Sequence, residues 1–216
     1  MPALGETSRP ARASRENRHV RYDRHVTEPH LEAAGAVPLL TSLQAADIPE
    51  VEAIEVASFE SGWSLTAFQR EMESNRLARY VVVREAGRAE IAGFAGLWLV
   101  VDEAHVVTVA VRPELRRGGY GRLLVHGLLE LAQAEGMANA TLECRESNEP
   151  ARALYRDYGF YEVGRRVRYY ADNNEDAIIM TTETLASPAY QDRLQRLAGK
   201  LQSLWPGLQL ASGTSV

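Results

Sequence analysis

The stretch Val111-Arg-Pro-Glu-Leu-Arg-Arg-Gly-Gly-Tyr-Gly-Arg122 decides the fold. It follows a β-branched run and opens a helical pattern that continues to about Glu135. The first N–H groups of a helix have no partner inside the helix and favour an anion. Gly119 and Gly121 allow the backbone to approach a phosphate closely, and the arginines on both sides add cationic donors. A tight structural turn would also use these glycines, but the flanking arginines favour phosphate binding.

Strand and helix patterns alternate on both sides of this loop. Runs of β-branched residues predict strands, and apolar residues three and four apart predict helices. Asn148 followed by Pro150 is typical of a helix start. The predicted strands are 37–42, 79–84, 90–100, 103–111, 139–144, 161–170 and 176–182, and the predicted helices are 45–58, 64–73, 149–158 and one from the loop to 135. This order predicts a single α/β domain with a mixed central sheet of about seven strands flanked by helices.

The composition is that of an ordinary globular protein, with 216 residues, of which 45% are hydrophobic and 25% charged. A formal net charge of −5 argues against a general nucleic-acid or membrane-surface binder, because both partners are anionic. The single cysteine, Cys144, excludes a disulfide within the chain and a zinc site built from several cysteines. No apolar run is long enough to span a bilayer and no secretory signal is visible, so we expect a cytoplasmic protein.

Two tails flank the predicted domain, whose expected bounds are 37–184. Residues 1–36 carry six arginines and three histidines but few large apolar residues, which predicts a disordered or loosely held arm. The histidines have no spacing that would place them on one face to bind a metal. Residues 185–216 are predicted to form a helical extension. Its apolar stripe is Tyr190, Leu194, Leu197, Leu201 and Leu204. The stripe would dock on the chain's own domain or on a partner, so we expect a monomer or a weak dimer.

Several motifs, in this order, resemble the GCN5-related N-acetyltransferases, the GNAT superfamily. The loop matches their acetyl-CoA signature Arg/Gln-x-x-Gly-x-Gly/Ala. Two further segments resemble the second half of that fold: Leu142-Glu-Cys-Arg-Glu-Ser-Asn148 and Ala153-Leu-Tyr-Arg-Asp-Tyr-Gly-Phe160. Together with these, two later segments resemble the RimI-type subgroup, the ribosomal-protein-alanine N-acetyltransferases: Arg168-Tyr-Tyr170 and Glu175-Asp-Ala-Ile-Ile-Met180. The resemblance spans about Val37 to Glu183 and leaves out both tails.

The resemblance implies acetyl-CoA as the co-substrate and no metal. The pantetheine would pair like a strand with Val109, Ala110 and Val111. The pyrophosphate would lie over the loop residues Arg116, Arg117, Gly118, Gly119, Tyr120, Gly121 and Arg122. Asn148 would contact coenzyme A and would also cap its helix. These two roles of Asn148 compete, and the sequence does not separate them.

Acetyl transfer to an amine needs a base and an acid. A peptide α-amine has a pKa of about 7.7–8.0, so much of it is ammonium at neutral pH and has no lone pair with which to attack a thioester. Glu143 lies in a predicted strand, on the face opposite Leu142 and Cys144, and the RimI-type pattern has its proposed base at this position. The opposite face makes Cys144 a small core residue rather than a nucleophile. Tyr155 shares a face with apolar residues, as a core aromatic would, but the family's general acid is a tyrosine in this Ala-Leu-Tyr context.

The same resemblance implies the acceptor site. Phe59 and Trp63 lie where the subgroup has one wall of its peptide site, and Tyr169 and Tyr170 match the paired tyrosines of the other wall. Only one of these tyrosines would touch peptide, because adjacent strand residues face opposite ways. We therefore expect acetyl transfer to the N-terminal α-amine of a protein such as a ribosomal protein, with neither nucleic acid nor a membrane as a partner. The alternatives are a lysine or small-molecule amine as acceptor, and a non-catalytic acyl-CoA sensor.

Overall fold

The computed structural model describes residues 37–59 and 65–210 of the chain. The predicted arm 1–36 and the predicted substrate residue Trp63 lie outside these ranges. The strands are β1 (Leu39–Ser42), β2 (Ala78–Arg84), β3 (Ile91–Val100), β4 (Glu103–Val111), β5 (Asn139–Arg145), β6 (Tyr161–Tyr170) and β7 (Glu175–Thr181). The helices are α1 (Ile48–Ser58), α2 (Leu65–Ser74), α3 (Tyr120–Ala134), α4 (Glu149–Asp157) and α5 (Pro188–Leu204).

The strands form one seven-stranded sheet in the order β1-β2-β3-β4-β5-β7-β6. All neighbouring strands are antiparallel except β4 and β5, so the sheet is mixed. The predicted single α/β domain with about seven strands is confirmed. Each predicted strand is present within two residues of its predicted bounds, because turn residues and alternation mark strand ends locally.

The parallel strands β4 and β5 separate halfway along their length. Their pairing ends where Val106 lies opposite Leu142, and no described residue pair continues it. A register shift against β3 leaves Val107 as an extra residue on β4, which is a β-bulge and bends the strand. From Val107 to Val111, β4 therefore has a neighbouring strand on one side only. The gap leaves room for an extended ligand beside β4.

Helices cover both faces of the sheet. On one face, α1 and α2 contribute Val51, Ile54 and Phe68 to a core that includes Phe94 of β3. On the other face, α3 and α5 contribute to a larger core. Its fully or nearly fully buried side chains include Leu123, Leu124, Leu128, Leu129, Tyr158, Tyr190 and Leu201. None of the described helices has the length and apolar character needed to cross a membrane.

The predicted helix 45–58 is divided in the structure. Residues Ala45–Asp47 form a 3₁₀ turn, and α1 begins at Ile48 with Pro49 in its first turn. Proline lacks an N–H group and therefore fits the first turn, where that group would have no partner within the helix. The position of Pro49 therefore indicates where the α-helix starts, whereas the spacing of apolar residues does not distinguish the 3₁₀ turn from the α-helix.

The apolar stripe of α5 packs onto the domain of the same chain. Tyr190, Leu194, Leu197 and Leu201 are all buried and belong to the core under α3. Leu204, the last residue of the stripe, is 51% exposed. The helix is thus held along most of its length, and its final turn lies at the surface.

Candidate active site

A cavity of about 330 Å³ opens where β4 and β5 separate. Its walls come from the end of α1, the bulged half of β4, the outer half of β5 and the start of α4. The lining residues include Glu55, Phe59, Thr108, Val109, Glu143, Asn148, Tyr155 and Tyr170. Both predicted catalytic side chains are therefore in one cavity.

Glu143 comes directly after Leu142, the last residue of β5 that pairs with β4. Exposure alternates along β5, so that Leu142 and Cys144 are buried and Glu143 is half-buried. Oε1 of Glu143 forms an ion pair with Nη2 of Arg166 at 3.0 Å, and 56% of the arginine side chain is exposed. The carboxylate lies between cavity and solvent, where it can accept a proton and pass it to water.

Tyr155 projects from α4 into the cavity. Its ring packs edge-on against Phe160, with 5.6 Å between ring centroids, as a core aromatic would. Its hydroxyl makes no hydrogen bond to any described residue, although buried phenols usually find a partner. Burial, with smaller contributions from Cys144 and Tyr170, raises the pKa of Tyr155 above its ordinary value of 10.0. The phenol therefore stays protonated and is a hydrogen-bond donor available to a ligand.

Cys144 is a buried core residue that also touches the cavity wall. Burial raises the pKa of its thiol to about 11. At neutral pH the thiol is therefore protonated, and a protonated thiol is a poor nucleophile. The side chain shapes the wall beside Tyr155 without offering a group that could form an acyl-enzyme.

The glycine-rich loop has the geometry expected of an anion site. Gly119 has φ 97° and ψ −15°, in the left-handed region that favours glycine, and it precedes the first residue of α3. The N–H of Leu123 donates to the carbonyl of Gly119 at 3.1 Å, which is the first helical hydrogen bond. The N–H groups of residues 120–122 come before it and have no partner within the helix. Such a helix start suits a diphosphate.

The three arginines of the loop have different partners. The side chain of Arg116 donates to the carbonyl of Val111 at 3.1 Å, and that of Arg122 is paired with Asp157 at 2.5 Å. Arg117 is exposed, has φ 66° and makes no ion pair with any described residue. Both arginines stay predicted phosphate donors, and Arg117 is the more open of the two because Asp157 pairs with the guanidinium of Arg122.

The predicted cofactor residues lie along a path rather than in one cavity. Val109 and Asn148 line the cavity, whereas Ala110, Val111 and the loop 116–122 lie outside it, further along β4 and at the start of α3. Oδ1 of Asn148 accepts a hydrogen bond from the N–H of residue 151 at 3.2 Å and so caps α4. Its side-chain amide N–H groups bond to no described residue. The cap therefore leaves these N–H groups available to a ligand, so the two predicted roles of Asn148 would use different atoms.

The predicted peptide walls meet at the same cavity. Phe59 lines it and is 39% exposed. Tyr170 also lines it, and the guanidinium of Arg145 lies 3.9 Å from the centre of its ring. Tyr169 is 48% exposed and packs edge-on against Tyr170 without lining the cavity. Of the two tyrosines, Tyr170 alone lines the cavity.

Three residues of this region were not predicted from the sequence. Glu55 is 4% exposed and lines the cavity, Thr108 has a buried hydroxyl with no partner among the described residues, and Arg166 holds Glu143. Glu55 lies seven residues after Ile48, on the apolar face of α1. A carboxylate on an apolar stripe is a signal that could have been noticed. Nothing in the local sequence indicates the contact of Arg166, since β7 lies between β5 and β6.

Comparison with known proteins connects this arrangement to a family. Residues 48–160 match the Acetyltransferase (GNAT) family, a range that includes the glycine-rich loop, Glu143 and Tyr155. The chain belongs to the GNAT family of acetyltransferases. The resemblance inferred from the motifs is thereby confirmed, and the GNAT domain is an N-acetyltransferase that uses acetyl-CoA.

Relatives of this GNAT domain are similar over nearly their whole length. A ribosomal protein bS18-alanine N-acetyltransferase of Escherichia coli (strain K12) is 36% identical over 65% of this chain and 94% of that protein. A putative ribosomal protein bS18-alanine N-acetyltransferase of Bacillus subtilis (strain 168) is 39% identical over 62% of this chain and 87% of that protein. The crystal structure of the ribosomal-protein-S18-alanine N-acetyltransferase from Escherichia coli superposes with a TM-score of 0.63 at 32% identity, over 70% of this chain and 97% of that one.

The site of this GNAT enzyme fits acetyl-CoA. The open side of β4 offers main-chain groups to an extended pantetheine, and the start of α3 offers free N–H groups to a diphosphate. The cavity at the other end of β4 is where the acetyl group would meet the acceptor amine. No group of residues suited to hold a metal ion occurs within the described ranges.

Proposed function

We propose that this GNAT enzyme acetylates the N-terminal α-amine of a protein that begins with alanine, and that its target is a ribosomal protein. The observation that carries the proposal is the name shared by its relatives, which are 36–39% identical over 87–94% of their own length. The cavity supports an amine as the acceptor, since its wall contains the half-buried carboxylate of Glu143, which favours the approach of a cationic ammonium group.

In the proposed reaction, both substrates bind before acetyl moves. The acceptor amine enters the cavity as ammonium and competes with Arg166 for the carboxylate of Glu143. Glu143 then takes one proton, directly or through a water molecule, and leaves a free amine. The nitrogen lone pair attacks the thioester carbonyl, and the carbonyl oxygen gains negative charge. N–H groups on the open side of β4 near Val109 would stabilise that charge.

Tyr155 acts on the departing sulfur. Its hydroxyl is protonated and makes no hydrogen bond to a described residue, so it can donate to the thiolate as the carbon–sulfur bond breaks. An ordinary thiol has a pKa of about 8.5, well below that of the buried phenol, so complete proton transfer from Tyr155 is uphill. The hydrogen bond to sulfur is therefore its first contribution. The nitrogen loses its second proton to water as the carbon–sulfur bond breaks, and water then protonates the thiolate of coenzyme A.

Two alternatives differ from this proposal, one in the acceptor and the other in the absence of catalysis. An enzyme for lysine or a small amine would use the same base and acid with a different acceptor. A sensor that only binds acyl-CoA would need neither Glu143 nor Tyr155, and their presence in one cavity favours catalysis.

The test compares acetyl-CoA turnover with four acceptors, of which three are peptides that are otherwise identical in sequence. They are a peptide that begins with alanine, the same peptide with a blocked N-terminus, the blocked peptide with an internal lysine, and a small amine. We expect turnover with the first peptide alone. Turnover that follows the lysine or the small amine would overturn the proposed acceptor. Cofactor binding without turnover on any acceptor would favour the sensor.

A further inference from the structure

The end of α5 touches the residue from which α3 starts. A Cβ atom placed on Gly119 would lie 2.4 Å from Cδ2 of Leu204 and 3.0 Å from Cη2 of Trp205. These distances mean that the two side chains occupy the space directly beside Gly119. Both residues, at the end of α5 and directly after it, lie outside the matched family range 48–160.

Trp205 also packs against the next residue of the loop. The rings of Trp205 and Tyr120 have centroids 5.3 Å apart, inclined at 49°. Tyr120 is only 7% exposed, and its hydroxyl accepts a hydrogen bond from the N–H of Ala86 at 3.4 Å. The side chain of Tyr120 is thereby fixed between Trp205 on one side and the turn after β2 on the other.

The opposite end of α5 is linked to the same turn of α3. The hydroxyl of Tyr190 donates to the carbonyl of Tyr158 at 2.9 Å. The hydroxyl of Tyr158 in turn donates to the carbonyl of Arg122 at 2.8 Å. Both tyrosines are nearly fully buried; the bond from Tyr190 is itself buried, and the bond from Tyr158 is partly buried. Gly119 and Tyr120 at one end, and Arg122 at the other, are therefore held through α5.

We propose that Trp205 is a positioning residue for acetyl-CoA: its ring fixes Gly119 and Tyr120 so that the free N–H groups of residues 120–122 are aimed at the diphosphate before the cofactor binds. Trp205 itself does not touch the cofactor. A loop that is ordered in advance loses less conformational entropy on binding, and this saving appears as affinity. The proposal rests on the diphosphate site at this loop and is independent of which amine accepts the acetyl group.

Removal of the Trp205 ring should loosen the loop without unfolding the domain. Tyr190, Leu194, Leu197 and Leu201 are each at most 6% exposed and keep α5 docked. The effect should therefore fall on acetyl-CoA affinity alone. Leu194 offers a matched control, because it lies on the same helix, is 5% exposed and is about 15 Å along the axis from residue 204.

The experiment measures acetyl-CoA binding by calorimetry, together with steady-state kinetics and melting temperature, for Trp205→Ala, Trp205→Phe and Leu194→Ala. For Trp205→Ala we expect Kd and KM for acetyl-CoA to rise about tenfold, with kcat and the peptide KM unchanged. Trp205→Phe should restore most of the affinity. Leu194→Ala should lower the melting temperature and leave Kd unchanged while the protein is folded.

Acetyl-pantetheine is a second probe, because it lacks the diphosphate and should be used equally well by Trp205→Ala and the unaltered enzyme. The proposal is overturned if Trp205→Ala binds acetyl-CoA within twofold of the unaltered enzyme, if Leu194→Ala weakens binding as much, or if acetyl-pantetheine is affected as strongly as acetyl-CoA. Calorimetry needs no acceptor peptide, so none of these outcomes depends on the proposed alanine specificity.

Discussion

Replacement of Glu143 by glutamine tests the proposed base directly. Glutamine keeps the size of the side chain but cannot take a proton from the acceptor ammonium. We expect kcat to fall by about 10²–10⁴-fold, the range for a general acid or base. Affinity for acetyl-CoA should stay unchanged, because Glu143 lies at the cavity and not at the loop 116–122. The deficit should shrink above about pH 8, where the α-amine is already free.

The structure also indicates that Glu143→Gln should lose little stability. The ion pair of Glu143 with Arg166 is 3.0 Å long, and its side chains are 25% and 56% exposed. Exposed pairs of this kind contribute about 0.2–1 kcal/mol. In a domain of this size, a loss of about 1 kcal/mol lowers the melting temperature by about 2–4 °C. A large fall in kcat would therefore not be explained by unfolding.

Glu146→Gln is the matched control for this variant. Glu146 follows the end of β5, and its carboxylate pairs with Arg165 of β6 at 2.6 Å, with side chains that are 43% and 49% exposed. It does not line the cavity, so the variant should lose similarly little stability and keep normal turnover.

Kinetics from about pH 6 to 9.5, with saturating peptide and acetyl-CoA, distinguish the outcomes for Glu143. If Glu143→Gln raised only the peptide KM and kept kcat, the carboxylate would hold the ammonium and would not be the base. Near-normal kcat at every pH would refute the reasoning altogether.

Three further predictions concern Tyr155, Arg117 and Glu175. Tyr155→Phe should fold and bind acetyl-CoA normally yet turn over slowly, as shown by calorimetry and single-turnover kinetics; a modest stability loss with normal turnover would instead assign Tyr155 to the core. Arg117→Ala should weaken acetyl-CoA binding by about 10- to 150-fold, since a charge-assisted hydrogen bond contributes about 1.5–3 kcal/mol, and unchanged affinity would make the loop a structural turn. Hydrogen bonds from Ser147 and Asn173, with the guanidinium of Arg145, lower the pKa of Glu175 from about 4.5 to about 2. The stability that Glu175 contributes is therefore present above about pH 5 and is lost as pH falls toward 2. Urea unfolding of Glu175→Gln should show lower stability at pH 7 and a shallower loss over that range.

The sequence by itself determined the features that depend on near neighbours in the chain. Asn148 with Pro150 starts α4, and Gly119 before a helical pattern starts α3, because caps and left-handed positions require particular residues at particular places. Period-two alternation in β5 separated Glu143 from the buried Leu142 and Cys144. The GNAT motifs also identified the family, because each motif is a short run of neighbouring residues and the motifs follow one another in the expected order.

Only the tertiary structure decided which distant residues meet. β7 lies between β5 and β6, so Arg166 reaches across one strand to hold Glu143, and no local pattern encodes that contact. Long-range packing likewise pairs Asp157 with Arg122, a contact that the sequence of the loop does not indicate. The stripe of α5 predicted a helix with one buried face, but not which surface it would cover. That choice depends on the shape left by α3 and the end of α4, and it is what brings Trp205 onto the loop that receives the cofactor.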